Sequence, residues 1–402
     1  MTTSQRSRTV RAYPFSPPDR LVLDPQYAWL REHEPVSRVR MPYGEEAWLV
    51  TRYADVRTVL GDARFSRAAS IGRDEPRVAP QSPEGGMLAM DPPEHTRLRR
   101  LVTKAFTVRR VEELRPRVER IADELVDRLV EAGPPADLVD DVTVPLPVTV
   151  ICELLGVPYA DRDRFHLWSE AIVSTTSLSP EQIGEYLGSL GAYMGELVAQ
   201  RRRVPTDDDL LGSLVKARDE GDRLSEKELV TLAGGLLAAG HETTSTQIPN
   251  FIYALLTHPD ELRLLRSRPE LVPHAVEELM RWVPLGAAAA FPRYATEDVE
   301  LSGITVPAGD PVLVSMAAAN RDERVFPDPD GIDLTRDPNP HLGFGHGAHH
   351  CLGAPLARVE LQVALGTLLR RLPALRFAVP EEQIPWKAGL FVRGPKHLPV
   401  AW

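Results

Sequence analysis

Apolar residues recur every three or four positions through most of the chain after residue 94, a spacing typical of helices that bury one face. The pattern predicts a mainly α protein. The predicted helices span residues 25–30, 53–60, 94–105, 109–132, 145–155, 161–174, 180–202, 207–219, 225–256, 259–267, 269–282, 311–320 and 354–372.

Alternating apolar and polar positions predict a small sheet built from both ends of the chain. The predicted strands span residues 35–39, 47–51, 291–294, 299–301 and 304–306, with strand-like pieces in 374–402. Residues 70–90 are rich in proline, glycine and charge, which predicts a long surface loop that covers a binding site. Residues 1–20 are polar and proline-rich and predict a loosely ordered arm. No linker or repeat divides the chain, so we expect one domain over 1–402.

Charge and cysteine content narrow the range of partners. The formal net charge of the 402 residues is −10, with both signs interspersed, which argues against a nucleic-acid partner. The two cysteines, Cys152 and Cys351, lie far apart and imply no disulfide framework. Apolar runs such as 232–240 reach about half of the ~20 residues that a membrane span needs, and residues 1–20 lack the apolar core of a secretory signal. We therefore expect a cytoplasmic protein without a membrane partner.

A glycine-rich loop with a lone cysteine precedes the last long helix. Residues 340–353 read Pro-His-Leu-Gly-Phe-Gly-His-Gly-Ala-His-His-Cys-Leu-Gly. A helix N-terminus favours a thiolate at Cys351, and a thiolate held this way is usually a nucleophile or a metal ligand. Glycines let the backbone approach a flat group, on which Phe344 could pack. Two alternatives stay open: a structural buried cysteine, and a zinc site with the neighbouring histidines, although paired ligands from a second place are missing.

Two further groups of residues could carry chemistry. Gly240, Glu242 and Thr243 interrupt the middle of the longest apolar helix, which predicts a weak point kept for function, or else a simple helix break. His95 and Arg99 are four residues apart and share a helix face that could bind an acidic ligand, although a basic helix start is more often a solvated face.

The cysteine loop, with the pattern Phe-Gly-x-Gly-x-His-x-Cys-x-Gly over 344–353, resembles the haem-binding loop of the cytochrome P450 family. The motif Ala-Gly-x-Glu-Thr over 239–243 is similar to the oxygen-activating groove of that family, and Glu278-x-x-Arg281 to its buried ion pair. The resemblance covers essentially the whole chain. It implies a single helix-rich, triangular haem-thiolate monooxygenase fold with a small β subdomain, and haem b as the cofactor.

The resemblance also implies a role for individual residues. Cys351 would be the axial iron ligand, Glu242 would deliver protons, and Thr243 would hydrogen-bond dioxygen. Glu278 and Arg281 would brace the core, with Arg324 or a neighbour approaching them, and His241 would point to the side. The haem propionates would be held by His95, Arg99, Arg293 and His349. Further cofactor contacts would come from Ala239, Gly240, Phe344, Gly345 and Gly353.

The implied activity is insertion of one oxygen atom from dioxygen into a bulky apolar substrate, by hydroxylation or epoxidation. Electrons from NAD(P)H would arrive through a separate ferredoxin reductase and a ferredoxin, which would dock on Arg100, Lys104 and Arg358 of a monomer. A peroxide-driven haem enzyme and a non-catalytic haem sensor are the alternatives. Several stretches are most similar to macrolide-tailoring members of the family, such as the epoxidase of oleandomycin assembly.

The small residues of 285–291 predict a roomy apolar pocket for a macrolide or another polyketide. Alternatively, the same alanines serve close packing. The predicted pocket residues are Leu88, Leu236, Ala239, Ala288, Ala289 and Phe391.

Overall fold

The structure, a computed structural model, describes residues 9–81, 86–206, 208–219 and 224–402. The chain forms two compact units. Unit one comprises Met1–His95 and Glu277–Cys351, and unit two comprises Thr96–Val276 and Leu352–Trp402. The single domain expected over 1–402 stays a prediction, and each unit is described by itself.

The described residues form thirteen α-helices and eleven short strands. The helices are α1 (Gln26–His33), α2 (Tyr53–Gly61), α3 (Glu94–Thr103), α4 (Val108–Ala132), α5 (Pro145–Leu155), α6 (Arg162–Val173), α7 (Pro180–Arg203), α8 (Leu210–Asp219), α9 (Glu226–Thr257), α10 (Pro259–Ser267), α11 (Val272–Trp282), α12 (Met316–Ala319) and α13 (Ala354–Arg371). The strands are β1 (Arg11–Ala12), β2 (Val36–Arg40), β3 (Ala47–Val50), β4 (Phe65–Ser66), β5 (Ala136–Asp137), β6 (Arg293–Ala295), β7 (Val299–Leu301), β8 (Ile304–Val306), β9 (Pro311–Val314), β10 (Arg376–Phe377) and β11 (Pro399–Ala401).

Unit one is built on a six-stranded sheet in the order β1-β2-β3-β9-β6-β4. The centre of the sheet joins the two sequence segments of the unit, because Val312 of β9 lies opposite both Trp48 of β3 and Arg293 of β6. The apolar side chains of the sheet pack with α2 into a buried core. The sheet thereby fixes the start of β6, where Arg293 lies.

Unit two is a helical assembly around α9. Helices α5, α6, α7, α8, α10 and α13 all pack on α9, and α4 packs on α5 and α13. The hydroxyl of Ser225 and the carboxylate of Glu228 cap the start of α9 reciprocally, so the helix begins at a defined residue. Strands β10, β11 and β5 form a small antiparallel sheet in the same unit. Within the described residues, no helix is long and apolar enough to cross a membrane.

Most of the predicted helices are present within a few residues of their predicted ends, but the helix predicted over 311–320 is wrong. Pro311–Val314 forms β9, and α12 covers only Met316–Ala319. All four residues of β9 are buried. A short, fully buried apolar run cannot be assigned to helix or strand from its periodicity. The predicted strand over 291–294 begins later, at Arg293, and the two-residue strands β4 and β5 were missed because they are too short to show alternation.

The predicted loose arm over 1–20 is wrong for the part that the structure describes, and residues 1–8 lie outside the described residues. Arg11–Ala12 pairs in parallel with β2, and Tyr13 is buried. The Tyr13 hydroxyl accepts a hydrogen bond from the Ala289 amide at 2.7 Å and contacts the Tyr27 hydroxyl at 2.9 Å. The predicted loop over 70–90 has no α-helix or strand where it is described, and residues 82–85 lie outside the description.

Candidate active site

The glycine-rich loop of unit one holds Cys351 by backbone hydrogen bonds. The Cys351 amide donates to the Phe344 carbonyl at 2.8 Å, which closes the loop. Gly345 and Gly347 have φ angles of 73° and 72°, which favour glycine. At Gly347 a Cβ atom would lie 2.4 Å from the carbonyl oxygen of Leu60, so no other residue fits there. Cys351 itself is exposed, and α13 begins three residues later, after Gly353.

Two of the predicted propionate ligands meet in unit one. The rings of His95 and His349 lie with their centroids 4.3 Å apart. Nε2 of His349 is buried and has no hydrogen-bond partner among the described residues. Burial, together with the positive charges of His95, Arg293 and Arg67, lowers the pKa of His349 to about 4. His349 therefore presents a buried nitrogen that can serve an acidic ligand.

Arg293 belongs to the same group, and so does Arg67, which sequence reasoning missed. Burial and the neighbouring Arg67 lower the pKa of Arg293 to about 10, while Asp91 opposes that shift. The Arg67 guanidinium donates to the carbonyl oxygens of Leu88, at 3.1 Å, and Pro292. We call His95, His349, Arg293 and Arg67 the cation cluster. Among the described residues, Asp91 is the carboxylate that acts on both Arg293 and His349.

The cation cluster fits a ligand that carries carboxylates. Burial of cations beside one another is unfavourable unless an anion compensates them. Arg293 and His95 are buried, and the unpartnered Nε2 of His349 lies beside them. Haem has two propionates, so the donor set suits that cofactor. Arg99 lies four residues after His95 on α3 and is half-buried.

One face of α9 in unit two is exposed in the middle of the helix. Ala239 and Thr243 are exposed and Leu236 is half-buried, whereas every residue from 244 to 255 is buried. These three positions are three or four residues apart and therefore share a face. The Thr243 hydroxyl donates to the Ala239 carbonyl at 3.3 Å. The face is apolar except for this hydroxyl and the backbone beside it.

The alternative of a simple helix break in α9 is wrong, since the helix continues without interruption from Glu226 to Thr257. Gly240 nevertheless has a packing role. A Cβ atom at Gly240 would lie 2.6 Å from Cδ1 of Ile151 on α5. The close approach predicted at Gly240 is thus made by another helix of unit two, and its contact with a cofactor stays a prediction.

Glu242 and Thr243 are adjacent but differ in environment. Glu242 is buried, and its Oε1 lies 3.4 Å from Nε2 of His241. The His241 ring is buried, off the exposed face of Ala239 and Thr243, and faces Glu242, and the expectation that it points to the side stays a prediction. Nδ1 of His241 donates to the Leu237 carbonyl at 2.8 Å.

Thr244 reaches a residue that sequence reasoning missed. Its side chain hydrogen-bonds to Glu360 of α13, which is fully buried. Burial raises the pKa of Glu360 well above its usual value, which favours the protonated form of this carboxyl. The signal was a charged residue on the buried, apolar stripe of α13.

Comparison with known proteins identifies the family. A family model described as cytochrome P450 matches residues 185–398. The mycinamicin IV hydroxylase/epoxidase of Micromonospora griseorubida is 61% identical over 392 residues, which are 98% of this chain and 98% of that protein. The chain belongs to the cytochrome P450 family.

A further relative and two solved structures are similar to this chain in sequence and in fold. Nocardicin C N-oxygenase of Nocardia uniformis subsp. tsuyamanensis is 54% identical over 98% of both chains. The crystal structure of HinD with NMFT and NO has a TM-score of 0.95 and 53% identity, and the structure of the mixed-function P450 MycG has 0.90 and 61%, each over 98% of this chain and 100% of the other. The predicted helix-rich P450 fold and the monooxygenase activity are confirmed. The family implies a haem-thiolate cofactor, a small-molecule substrate and redox partners.

The ion pair predicted in this P450 is present in unit one. Arg281 donates to both Glu278 oxygens, at 2.7 and 2.8 Å, and both side chains are fully buried. Of the stretch expected nearby, the Asn320 carbonyl accepts from Nη1 of Arg281 at 3.0 Å, whereas Arg324 pairs with Asp322. Arg336, from outside that stretch, also reaches the pair, with Nε 3.1 Å from Glu278. The buried Glu278 carboxylate is thus compensated by two arginines.

The predicted pocket residues have different environments. Ala289 is buried in a core cluster with Tyr13 and Tyr27, and Ala288 packs against that cluster. The pocket role of Ala289 is therefore wrong, and close packing explains this alanine. Leu88 is 55% exposed in unit one. The remaining pocket residues, Leu236, Ala239 and Phe391, are at least partly exposed in unit two.

Proposed function

We propose that this P450 binds haem b with Cys351 as the iron ligand and with propionates held by His95, Arg293, His349 and Arg99. The observation that carries the proposal is the buried cation cluster with the unpartnered Nε2 of His349. The exposed thiol in a loop closed by the Phe344 carbonyl supports it. When bound, a haem with a thiolate ligand supplies activation and cleavage of dioxygen.

Residues of α9 manage oxygen and protons in this proposal. Thr243 keeps its hydroxyl on the exposed face by donating to the Ala239 carbonyl, from which it can turn to dioxygen. Glu242 is buried one residue away and can hold or release a proton beside His241. A buried carboxyl next to an exposed hydroxyl can pass protons toward the reacting oxygen while bulk water is kept out.

The proposed substrate is a macrolide or a related polyketide. The 61% identity to the mycinamicin IV hydroxylase/epoxidase over nearly all of both chains supports it. The apolar character of Leu88, Leu236 and Ala239 agrees with a bulky apolar ligand. Oxygen transfer to nitrogen is the second candidate, because nocardicin C N-oxygenase is 54% identical.

Electrons are proposed to reach this P450 from a separate ferredoxin reductase through a ferredoxin. The P450 itself is proposed to be a monomer in the cytoplasm. Arg100 and Lys104 are exposed and Arg358 is half-exposed, and all belong to unit two. An acidic ferredoxin would be steered to these cations, so electron transfer should slow as salt rises.

The thiolate assignment is tested by the absorption of the reduced protein with carbon monoxide. The native protein should show the red-shifted band of a thiolate-bound haem, and Cys351→Ala should lose it. Cys152→Ala is the matched control, because burial raises the pKa of the Cys152 thiol to about 12 and makes it a poor ligand. A red-shifted band in Cys351→Ala would refute the assignment.

The substrate class is tested by titrating the haem absorbance with macrolides, other polyketides and β-lactams. Macrolides should bind most tightly, and Leu88→Ala should weaken their binding. Val22→Ala is the control, because Val22 is apolar and 62% exposed in the same unit but lies outside both the predicted pocket and the loop 70–90. Tighter binding of β-lactams with transfer of oxygen to nitrogen would support the second candidate instead.

A further inference from the structure

A lysine from the C-terminal segment of unit two reaches the part of α9 that carries Glu242. Nζ of Lys387 donates to Oγ1 of Thr246 at 2.9 Å. Thr246 lies one helical turn after Glu242, so the ammonium group and the carboxyl lie along the same helix face.

The segment that carries Lys387 is fixed on α9. The Lys387 amide donates to the Gly394 carbonyl at 2.9 Å, and Nδ2 of Asn250 donates to the Arg393 carbonyl at 2.9 Å. At Gly394 a Cβ atom would lie 2.5 Å from Cγ2 of Thr246, so the segment touches the helix without space for a side chain. The lysine is therefore held at Thr246 by its backbone as well as by its own hydrogen bond.

Glu242 is one of the charged groups that act on this lysine. Burial lowers the pKa of Lys387, and the carboxylates of Glu242 and Glu170 act in the opposite direction. The ammonium group and a nearby carboxylate stabilise each other's charged forms. Other titratable groups in the region are His241 on α9, Arg393 in the same segment and Glu360, which acts on Thr244 from α13.

His241 alone cannot keep Glu242 ionised while its ring is neutral. A carbonyl oxygen only accepts hydrogen bonds, so Nδ1 of His241 carries the proton that it shares with the Leu237 carbonyl. Nε2 of the neutral ring is then an acceptor, and it faces Oε1 of Glu242 at 3.4 Å. Lys387 supplies a positive charge that acts on Glu242 from the C-terminal segment.

We propose that Lys387 is a positioning residue for proton delivery: its ammonium group, held on Thr246, keeps Glu242 in its anionic form between turnovers. The inference rests on the proposed function, in which Glu242 handles protons. The carboxylate then takes up a proton from the solvent and passes it toward Thr243. The loss of that proton regenerates the Glu242 anion. The ammonium group keeps its own proton throughout, so no proton is lost or gained by the lysine.

The test follows the protonation of Glu242 directly in the haem-loaded protein. The infrared band of the protonated carboxyl is recorded across pH and assigned by its loss in Glu242→Gln. Lys387→Gln removes the charge but can still donate to Thr246, so it should fold. Its Glu242 band should appear at a pH about one unit higher, which is about a tenfold change in the protonation ratio. Lys387→Arg should restore the native midpoint.

A matched control is Lys396→Gln, which removes an exposed lysine of the same segment. It should leave the midpoint unchanged. The pH dependence of coupling, measured as product formed per NAD(P)H consumed, should move with the infrared midpoint in Lys387→Gln and return in Lys387→Arg. An unchanged midpoint in Lys387→Gln would overturn the inference.

The outcome separates this inference from the proposed function. If Glu242→Gln leaves coupling unchanged, the proton-delivery role of Glu242 fails, whereas the infrared midpoint still tests the influence of Lys387 on the carboxyl. If Glu242→Gln lowers coupling and Lys387→Gln leaves the infrared midpoint in place, only the lysine assignment fails.

Discussion

The imidazole rings of His95 and His349 lie 4.3 Å apart in the buried part of unit one, beside the guanidinium groups of Arg293 and Arg67. Two rings that can each take a proton are thus placed next to two groups that are almost always charged. The arrangement is unfavourable for protonation of His349. A carboxylate bound beside these four side chains would make their arrangement favourable, which is why the cation cluster indicates an acidic ligand.

The cation cluster should make the haem-free protein sensitive to acid. The pKa of His349 is about 4 in the folded chain, against about 6.5 in the unfolded one. Between these values the unfolded chain binds a proton that the folded chain does not, so stability is lost as pH falls from 6.5 to 4. His349→Gln should reduce this slope, by less than about 1.4 kcal/mol per pH unit because the ring is partly solvated.

Melting temperatures between pH 4 and 7 measure the effect. His274→Gln, which removes an exposed histidine of α11, should keep the native slope. Equal slopes in His349→Gln and the native protein would show that His349 does not remain neutral in the folded state.

Arg293→Leu should have opposite effects on the haem-free and the haem-loaded protein. The pKa of Arg293 is lowered to about 10, which shows that burial and Arg67 penalise its charge. Removing that charge should stabilise the haem-free protein by about 1–3 kcal/mol. The same change should weaken haem retention, because a propionate loses its partner.

Urea unfolding and transfer of haem to apomyoglobin measure these two properties separately. Arg40→Leu, which removes an exposed arginine from β2, is the control and should leave haem retention unchanged. Faster haem loss without any gain in haem-free stability would mean that the charge of Arg293 does not destabilise the haem-free protein.

Those parts of the site whose residues are close together in the sequence could be predicted from it. The loop around Cys351, the i,i+3 pair of Glu278 and Arg281, and the position of Glu242 and Thr243 in the middle of a long helix all follow from local spacing. Arg67 was missed because its partner Pro292 lies 225 residues away, and only the pairing of β4 with β6 brings the two segments together. A local pattern carries no information about such a contact.

Two errors came from ambiguous residue types. Ala289 was predicted to line a pocket because it is small, but small residues also permit close packing, and Tyr13 uses that space. Arg336 was missed at the buried ion pair, which Asn320 of the expected stretch also approaches, while Arg324 pairs with Asp322. Several arginines in one irregular stretch satisfy the same sequence pattern, and the path of the backbone decides which one is buried.

Gly240→Ala should destabilise the protein through overpacking. The added Cβ atom would lie 2.6 Å from Cδ1 of Ile151, on a helix that cannot easily move away. The cost should be about 1–3 kcal/mol in the free energy of unfolding. Ile151→Ala, combined with Gly240→Ala, should recover much of that loss by making space, and denaturant unfolding of the four variants gives the coupling. Additive losses would contradict direct contact as the cause.

Substitutions of the neighbouring threonines of α9 should affect different properties, coupling for Thr243 and stability for Thr244. Thr243→Ala removes the exposed hydroxyl and should divert reducing equivalents to peroxide or water, with little change in stability. Thr244→Val removes the partner of the buried Glu360 carboxyl and should cost about 1–3 kcal/mol of stability. Product and peroxide formed per NAD(P)H, together with melting temperature, separate the two effects. Normal coupling in Thr243→Ala would remove this hydroxyl from the mechanism.

Glu360→Gln should stabilise the protein, and more so as pH rises. Burial raises the pKa of Glu360 well above its usual value, so the folded chain keeps a proton that the unfolded chain releases above about pH 4.5. Native stability should therefore fall with rising pH, by up to about 1.4 kcal/mol per pH unit until the pKa in the folded state is reached. Glutamine is neutral at every pH and can still hydrogen-bond Thr244, so the variant avoids this loss.

Unfolding measured from pH 5 to 8 should show the two curves diverging, whereas Glu382→Gln, on an exposed residue, should stay parallel to the native protein. Parallel curves for Glu360→Gln would mean that the buried carboxyl is ionised and that a cation not yet identified compensates it.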